Sequence, residues 1–408
     1  MLPRPSRIPL PLAGLLALAV AMGIGRFAFT PVLPMMQADL GLSLVQGSWL
    51  ASANYLGYLL GALLVTHLSW SPATLLRLGL WMVVLMTAAM GLDSHWLGWL
   101  SWRLLAGVAS AWVLIGTSAL CIARLNATGQ TERSGVVFAG VGCGIAFAGL
   151  ACMGLTLAGT TASHAWLWLA VAALGGLLGA STLWRTLDPA PAAKPAGPDA
   201  ACAESTAAAR TAAPGRADEA STHVAPPLHW GLILCYGVYG FGYILPATFL
   251  PAQARLLVPE PWLFSLAWPV FGLAGAVSTV MASRLARRYT RPQIWAGAQA
   301  VMAVGVLAPA VWHALPAILL AACCVGSTFM VITMVGLQEA QAAVGQAGAK
   351  RQMAAMTASF ALGQLIGPIF FSLTHAWFGA SLEFALVLGT LGLLAGAVPI
   401  LRLGQSAR

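Results

Sequence analysis

Helix-length apolar runs alternate with short polar connections along almost the whole chain. A helix needs about 20 apolar residues to cross roughly 30 Å of hydrocarbon while satisfying its own backbone. By that measure the chain predicts twelve membrane spans. Six come first, at Pro9–Met36, Gly47–Leu68, Ala73–Leu92, Trp96–Ile122, Ser134–Leu157 and Ala165–Leu187. Six follow, at Leu228–Leu250, Trp262–Leu285, Pro292–Trp312, Leu315–Gln338, Met353–Trp377 and Ser381–Leu403. Between the two sets, residues 187–227 are rich in Ala and Pro with scattered charges of both signs. Such a stretch cannot bury a core and is expected to be a disordered cytoplasmic linker. The expected division is a six-helix half at 1–186, the linker at 187–227 and a second six-helix half at 228–408.

Composition narrows the class. Of 408 residues, 59% are hydrophobic and only 8% charged, against about 25% charged in ordinary soluble domains. With a mean hydropathy of +0.84, the chain is expected to be an all-α, multi-pass membrane protein. A soluble enzyme, a disordered chain and a nucleic-acid binder are excluded; the net charge of +9 is not gathered into a basic domain. Three of the 20 Lys and Arg residues escape the connections that would face the cytoplasm if the amino terminus does: Arg26 and Arg103 within spans, and Arg255 outside. The positive-inside rule therefore places both termini in the cytoplasm, with the inner membrane as the expected location. The first span has the outline of a secretory signal with Ala19-Val20-Ala21 as its cleavage site, but its apolar run continues past that point and is read as a retained helix. The seven cysteines form no CxxC pair and no metal-ligand spacing. No metal and no cofactor are expected.

The two sets of spans echo each other. Gly23-Ile24-Gly25-Arg26 with Leu33-Pro34 matches Gly240-Phe241-Gly242-Tyr243 with Leu250-Pro251, and Gly140 and Gly144 match Gly363 and Gly367. The matches occur in order on equivalent helices, which indicates a duplicated unit with a substrate site between its copies. The layout, with Gly23-Ile24-Gly25-Arg26-Phe27, Ala53-Asn54-Tyr55-Leu56-Gly57-Tyr58, Gly242–Pro251 and Gly363-Gln364 with Gly367-Pro368, resembles the major facilitator superfamily, in particular its YbfB/YjiJ-type branch. That resemblance implies the major facilitator fold and transport by alternating access. Arg103 with Gly107 matches the superfamily's fourth-helix motif. The basic-acidic gate motif after the second helix is missing, because Leu68–Arg77 contains no acid.

The candidate site rests on polar groups inside spans. An Arg at a helix centre costs about 2.5–3.5 kcal/mol on insertion scales, so Arg26 and Arg103 are expected to face a cavity and a partner. No acid lies in the core of any predicted span. Counted from the outer boundary, the two arginines lie at similar depth, and an anionic cargo between them would supply the missing charge. The structural alternative has Arg26 capping carbonyls of a glycine-loosened helix and Arg103 reaching outward. Tyr236, Tyr239 and Tyr243 share one helix face by their i, i+3, i+7 spacing and are expected to wall the cavity. Asn54, Tyr58 and Gln364 are candidate hydrogen-bonding partners, with inter-helix bonding as the alternative for Asn54. Gly23, Gly25, Gly107, Gly140, Gly144, Gly363 and Gly367 are expected at close helix contacts, and Gly367-Pro368 at a flex point.

The chain is thus expected to move a small organic solute, anionic by this reading, with or without a coupling ion. Export of neutral or cationic aromatic compounds is the alternative. It is not expected to be an enzyme, since no P-loop, HExxH or acidic pair is present. Its expected surroundings are the lipid bilayer, without nucleic acid, and it is expected to act as a monomer.

Overall fold

Several helix starts are written locally in short polar side chains. Ser43 accepts the Gln46 backbone N–H while the Gln46 side chain accepts that of Ser43, a reciprocal cap. Ser71 does the same one-way service for Thr74, ahead of Pro72 in the first helical turn. In the computed structural model, which describes residues 8–185, 227–257, 261–379 and 381–406, every regular element is helical. The expected linker at 187–227 lies, apart from Pro227, outside the described residues.

The helices are α1 (Leu10–Leu40), α2 (Leu44–His67), α3 (Pro72–Leu92), α4 (Trp96–Ala127), α5 (Ser134–Leu157) and α6 (Ala162–Ala180). They continue with α7 (Trp230–Leu257), α8 (Pro261–Leu285), α9 (Arg291–Val311), α10 (Leu315–Phe378) and α11 (Leu382–Ser406). Among the described residues, nine helices are long and apolar enough to cross a membrane. Their outer faces expose large apolar side chains such as Leu97, Leu157, Trp168 and Phe378. A soluble surface does not carry so much; lipid accepts it.

Two helices carry irregular backbone. The sequence predicts separate spans at Leu315–Gln338 and Met353–Trp377, and α10, 64 residues in all, is interrupted between them. Ala, Gln and Lys fill the intervening stretch, and these are strong helix formers. A straight helix of that length would measure ~96 Å at 1.5 Å per residue, about three bilayers. Gly345 breaks it, with φ 68° and ψ −177°, a conformation open to glycine alone. The second irregularity is in α1, where Ala19–Phe27 winds as a π-helix.

Glycines set the helix spacing. A Cβ on Gly57 would stand 1.9 Å from the Leu104 carbonyl oxygen, and one on Gly107 2.1 Å from that of Asn54, so α2 and α4 touch backbone to backbone. Gly140 meets the Leu15 carbonyl and Gly144 meets Gly23, closing α5 on α1. Gly363 meets the Gly237 carbonyl, and Gly367 meets Ile244, closing the later part of α10 on α7. The glycines paired by the internal echo thus serve equivalent contacts, where close approach and dispersion hold helices together without a hydrophobic driving force. Gly25 faces Val83 and Ser110. Pro368 sits inside α10.

Candidate functional site: a buried arginine in an aromatic cavity

The site begins with the π-helix of α1. A π turn leaves backbone carbonyls out of step with the following α-helix, and such turns recur at functional positions. Pro31 adds to the deficit, since it has no N–H to offer the carbonyls four or five residues before it. Helix α4 supplies the missing donors. Arg103 donates from Nη1 to the Gly25 carbonyl at 3.2 Å, from Nη2 to the Arg26 carbonyl at 3.3 Å and from Nε to the Leu50 carbonyl at 3.5 Å. One turn-pair further along α4, Ser110 donates to the Ala21 carbonyl at 2.8 Å. Asn54 completes the staple, its amide donating to the Arg103 carbonyl at 3.0 Å.

This arrangement corrects two expectations. Arg103 does not share a cavity with Arg26: all three of its nitrogens serve main-chain carbonyls, and its guanidinium lies over Phe29, 4.6 Å from the ring centre. The structural alternative, with Arg26 as the cap and Arg103 reaching outward, also fails, because Arg103 caps the loosened helix. Similar depth concealed this. Depth is set by rise along a helix, whereas facing is set by how two helices pack.

Arg26 points the other way, into a small cavity. It is 3% exposed, and its guanidinium carbon lies 4.0 Å from the centre of the Tyr58 ring and 5.2 Å from that of Tyr55. Nη2 donates a short hydrogen bond to the side-chain oxygen of Gln364 on α10. Nε and Nη1 have no hydrogen-bond partner among the described residues. Tyr58, Tyr236, Tyr239, Tyr243 and Gln364 all line the same cavity, so six of the eight expected substrate contacts meet there, while Arg103 and Asn54 lie behind the wall. The cavity admits the centre of a water molecule over about 20 Å³, room for roughly one water.

The far wall is aromatic. The Tyr243 and Phe329 rings stack at 5.7 Å, and Tyr239 and Phe360 approach to 4.9 Å. Phe27, Phe329 and Phe360 were not among the expected contacts. An isolated Phe in an apolar helix carries no signal of facing, whereas the three tyrosines announced theirs through their polar tips and spacing. Tyr239 donates to the Phe329 carbonyl at 2.6 Å and Thr333 to the same carbonyl at 2.9 Å. No Asp or Glu lines the cavity among the described residues, and the ion pairs found there lie elsewhere. Ser110 is the other residue the sequence reading missed; its spacing of seven from Arg103 on α4 is the signal that was available.

A protein of long helices clad in apolar side chains is a multi-pass membrane protein, and its family gives the class, a transporter. Its fold is similar to that of the human organic anion transporter MFSD10 (TETRAN), at 16% identity and a TM-score of 0.66 over 96% of this chain and 98% of that one. It is likewise similar to FucP, a major facilitator superfamily transporter solved in the outward conformation, at 13% identity and a TM-score of 0.64 over the same shares. Residues 18–401 match the family described as "Uncharacterised MFS-type transporter YbfB", and the chain belongs to that family. No functionally curated protein matches the sequence.

Proposed function

We propose that this transporter carries a small organic anion, held on Arg26, between two six-helix halves that expose the cavity alternately to either side of the inner membrane. In this reading the halves are residues 1–186 and 228–408, joined by the linker at 187–227. In this reading the break at Gly345 separates two spans within α10, giving twelve in all, and the positive-inside bias assigns both termini to the cytoplasm. One observation carries the anion. A guanidinium buried to this extent keeps two nitrogens without a hydrogen-bond partner among the described residues, and the one side chain bonded to it there, Gln364, is neutral. A buried charge left so is costly, and a cargo that supplies the opposite charge removes the cost.

Contacts on the cytoplasmic side of this arrangement support a closed inner gate. Arg287 grips Glu132 with two bonds of 2.7 and 2.6 Å, Gln338 donates to Ser134 at 2.6 Å, and Lys350 donates to the carbonyls of Leu68 and Trp70 at 2.7 and 3.0 Å. Lys350 thus meets the carboxyl end of α2, where the helix dipole favours a cation, in the very connection that lacks the superfamily's acidic gate motif.

The test is transport by purified protein in liposomes loaded with a panel of organic acids, amines and neutral aromatics. Anion flux that is lost in Arg26→Ala, with the fold retained, supports the reading. The aromatic wall favours a second one, export of neutral or cationic aromatic compounds. Flux of an amine or neutral aromatic that survives Arg26→Ala would establish it instead.

A further inference from the structure

Resting on the anion reading, we propose that the cargo is a small monocarboxylate with a flat apolar body, and that Gln364 is the group its carboxylate displaces from Arg26. The charge count comes first. With Arg103 committed to backbone carbonyls, Arg26 is the one charged side chain lining the cavity among the described residues. A monoanion neutralises it. A dicarboxylate or a phosphate dianion would bring a second charge into a closed site with nothing to balance it, the costly case for buried ions.

Geometry selects the carboxylate. Nε and Nη1 have no hydrogen-bond partner among the described residues, while Nη2, the nitrogen shared by both two-pronged edges of a guanidinium, is held by a neutral amide oxygen. Two carboxylate oxygens can take either edge only by taking Nη2, and the charge-assisted bonds they accept are stronger than the one Gln364 accepts. Gln364 therefore shields Arg26 in the closed cavity and yields it to the cargo. The two residues stand on α10 and α1, so the exchange acts across the contact between the halves.

The rest of the cavity selects the body. Phe27, Tyr243, Phe329 and Phe360 present ring faces and edges. The hydroxyls of Tyr239 and Thr333 are already engaged by the Phe329 carbonyl. Among the described lining residues at most the Tyr58, Tyr236 and Tyr243 hydroxyls and the Gln364 amide then remain for the cargo, too few to satisfy the many hydroxyls of a sugar acid. A flat apolar ring would stack.

The experiment uses the full chain, purified in detergent, with thermal unfolding followed in titrations of four probes: benzoate, its neutral isostere benzamide, the dianion terephthalate and the polyhydroxylated monoanion gluconate. Benzoate is expected to raise the melting temperature saturably, with each of the other three weaker by about 10- to 100-fold, or about 1.4–2.8 kcal/mol. Gln364→Glu, which places a carboxylate on Arg26, is expected to abolish the benzoate shift. Gln364→Ala, which removes the competitor and serves if the Glu variant fails to fold, is expected to bind benzoate at least as tightly as the native chain. Preference for terephthalate or gluconate, or no shift with benzoate, overturns the cargo class while leaving an anion site standing. Benzamide equal to benzoate, or a benzoate shift undiminished in Gln364→Glu, overturns the anion reading itself.

Discussion

Arg26 and Arg103 are both 3% exposed, both inside spans and neither in an ion pair among the described residues, yet they serve different ends. Arg103 has its three nitrogens on carbonyls of α1 and α2. Arg26 has one nitrogen on Gln364 and two with no hydrogen-bond partner among the described residues. The contrast teaches that a buried charge in a membrane helix is a functional signal only after its hydrogen bonds are counted. Arg103 repairs a backbone that π-winding and Pro31 left short of donors, and by doing so it fixes the turn from which Arg26 projects.

Substitutions at the two positions should therefore separate activity from stability. The largest effect is expected from Arg26→Ala on transport, a loss of more than about 100-fold, since each charge-assisted bond is worth about 1.5–3 kcal/mol. Its melting temperature should hold or rise, because an unpaired buried charge is removed. A marked drop in melting temperature would erase the contrast. Arg103→Ala should do the reverse, lowering stability by about 3 kcal/mol or more as buried carbonyls lose their donors, measured by thermal unfolding in detergent. Arg103→Lys should rescue little, since one ammonium cannot reach three separated carbonyls.

Smaller changes sharpen the same picture. Gly107→Ala, which pushes a methyl against the Asn54 carbonyl, should cost about 1–3 kcal/mol and loosen the staple behind Arg26. Ser110→Ala should cost about 1 kcal/mol, the net worth of its bond to the Ala21 carbonyl. Smallest is Glu132→Gln at the inner face. Its bidentate pair with Arg287 is solvent-exposed, so stability should scarcely move. The rate of transport should change, and added salt should reproduce the change in the native chain. A salt-insensitive rate would show that the pair does not gate.

Much of the fold was legible in the chain. Span length and hydropathy are local properties, and glycines such as Gly23, Gly144 and Gly363 were expected at close helix contacts, though which helices meet there is given by the packing. The break at Gly345 falls between the spans expected at Leu315–Gln338 and Met353–Trp377, but the helical winding of their connection was not forecast, because span reading follows hydropathy and the helix formers there are polar. At the site, the tyrosines and Gln364 were legible through polarity at intramembrane positions. Phe27, Phe329 and Phe360 were not, because an apolar ring suits lipid, core or cavity equally well. Asn54 fell to its inter-helix alternative, a choice the packing of Gly107 against its backbone made.

The amino-acid order alone determined that this is a many-helix membrane protein, where its spans begin and end to within about two turns, and that two arginines must be reconciled with an apolar interior. Those outcomes depend on transfer free energies summed along the chain. Which arginine is satisfied and which is left for a ligand was decided only in three dimensions. A π turn rotates carbonyls out of register, a neighbouring helix brings donors to them, and rotation of one helix face against another is a property no single helix contains.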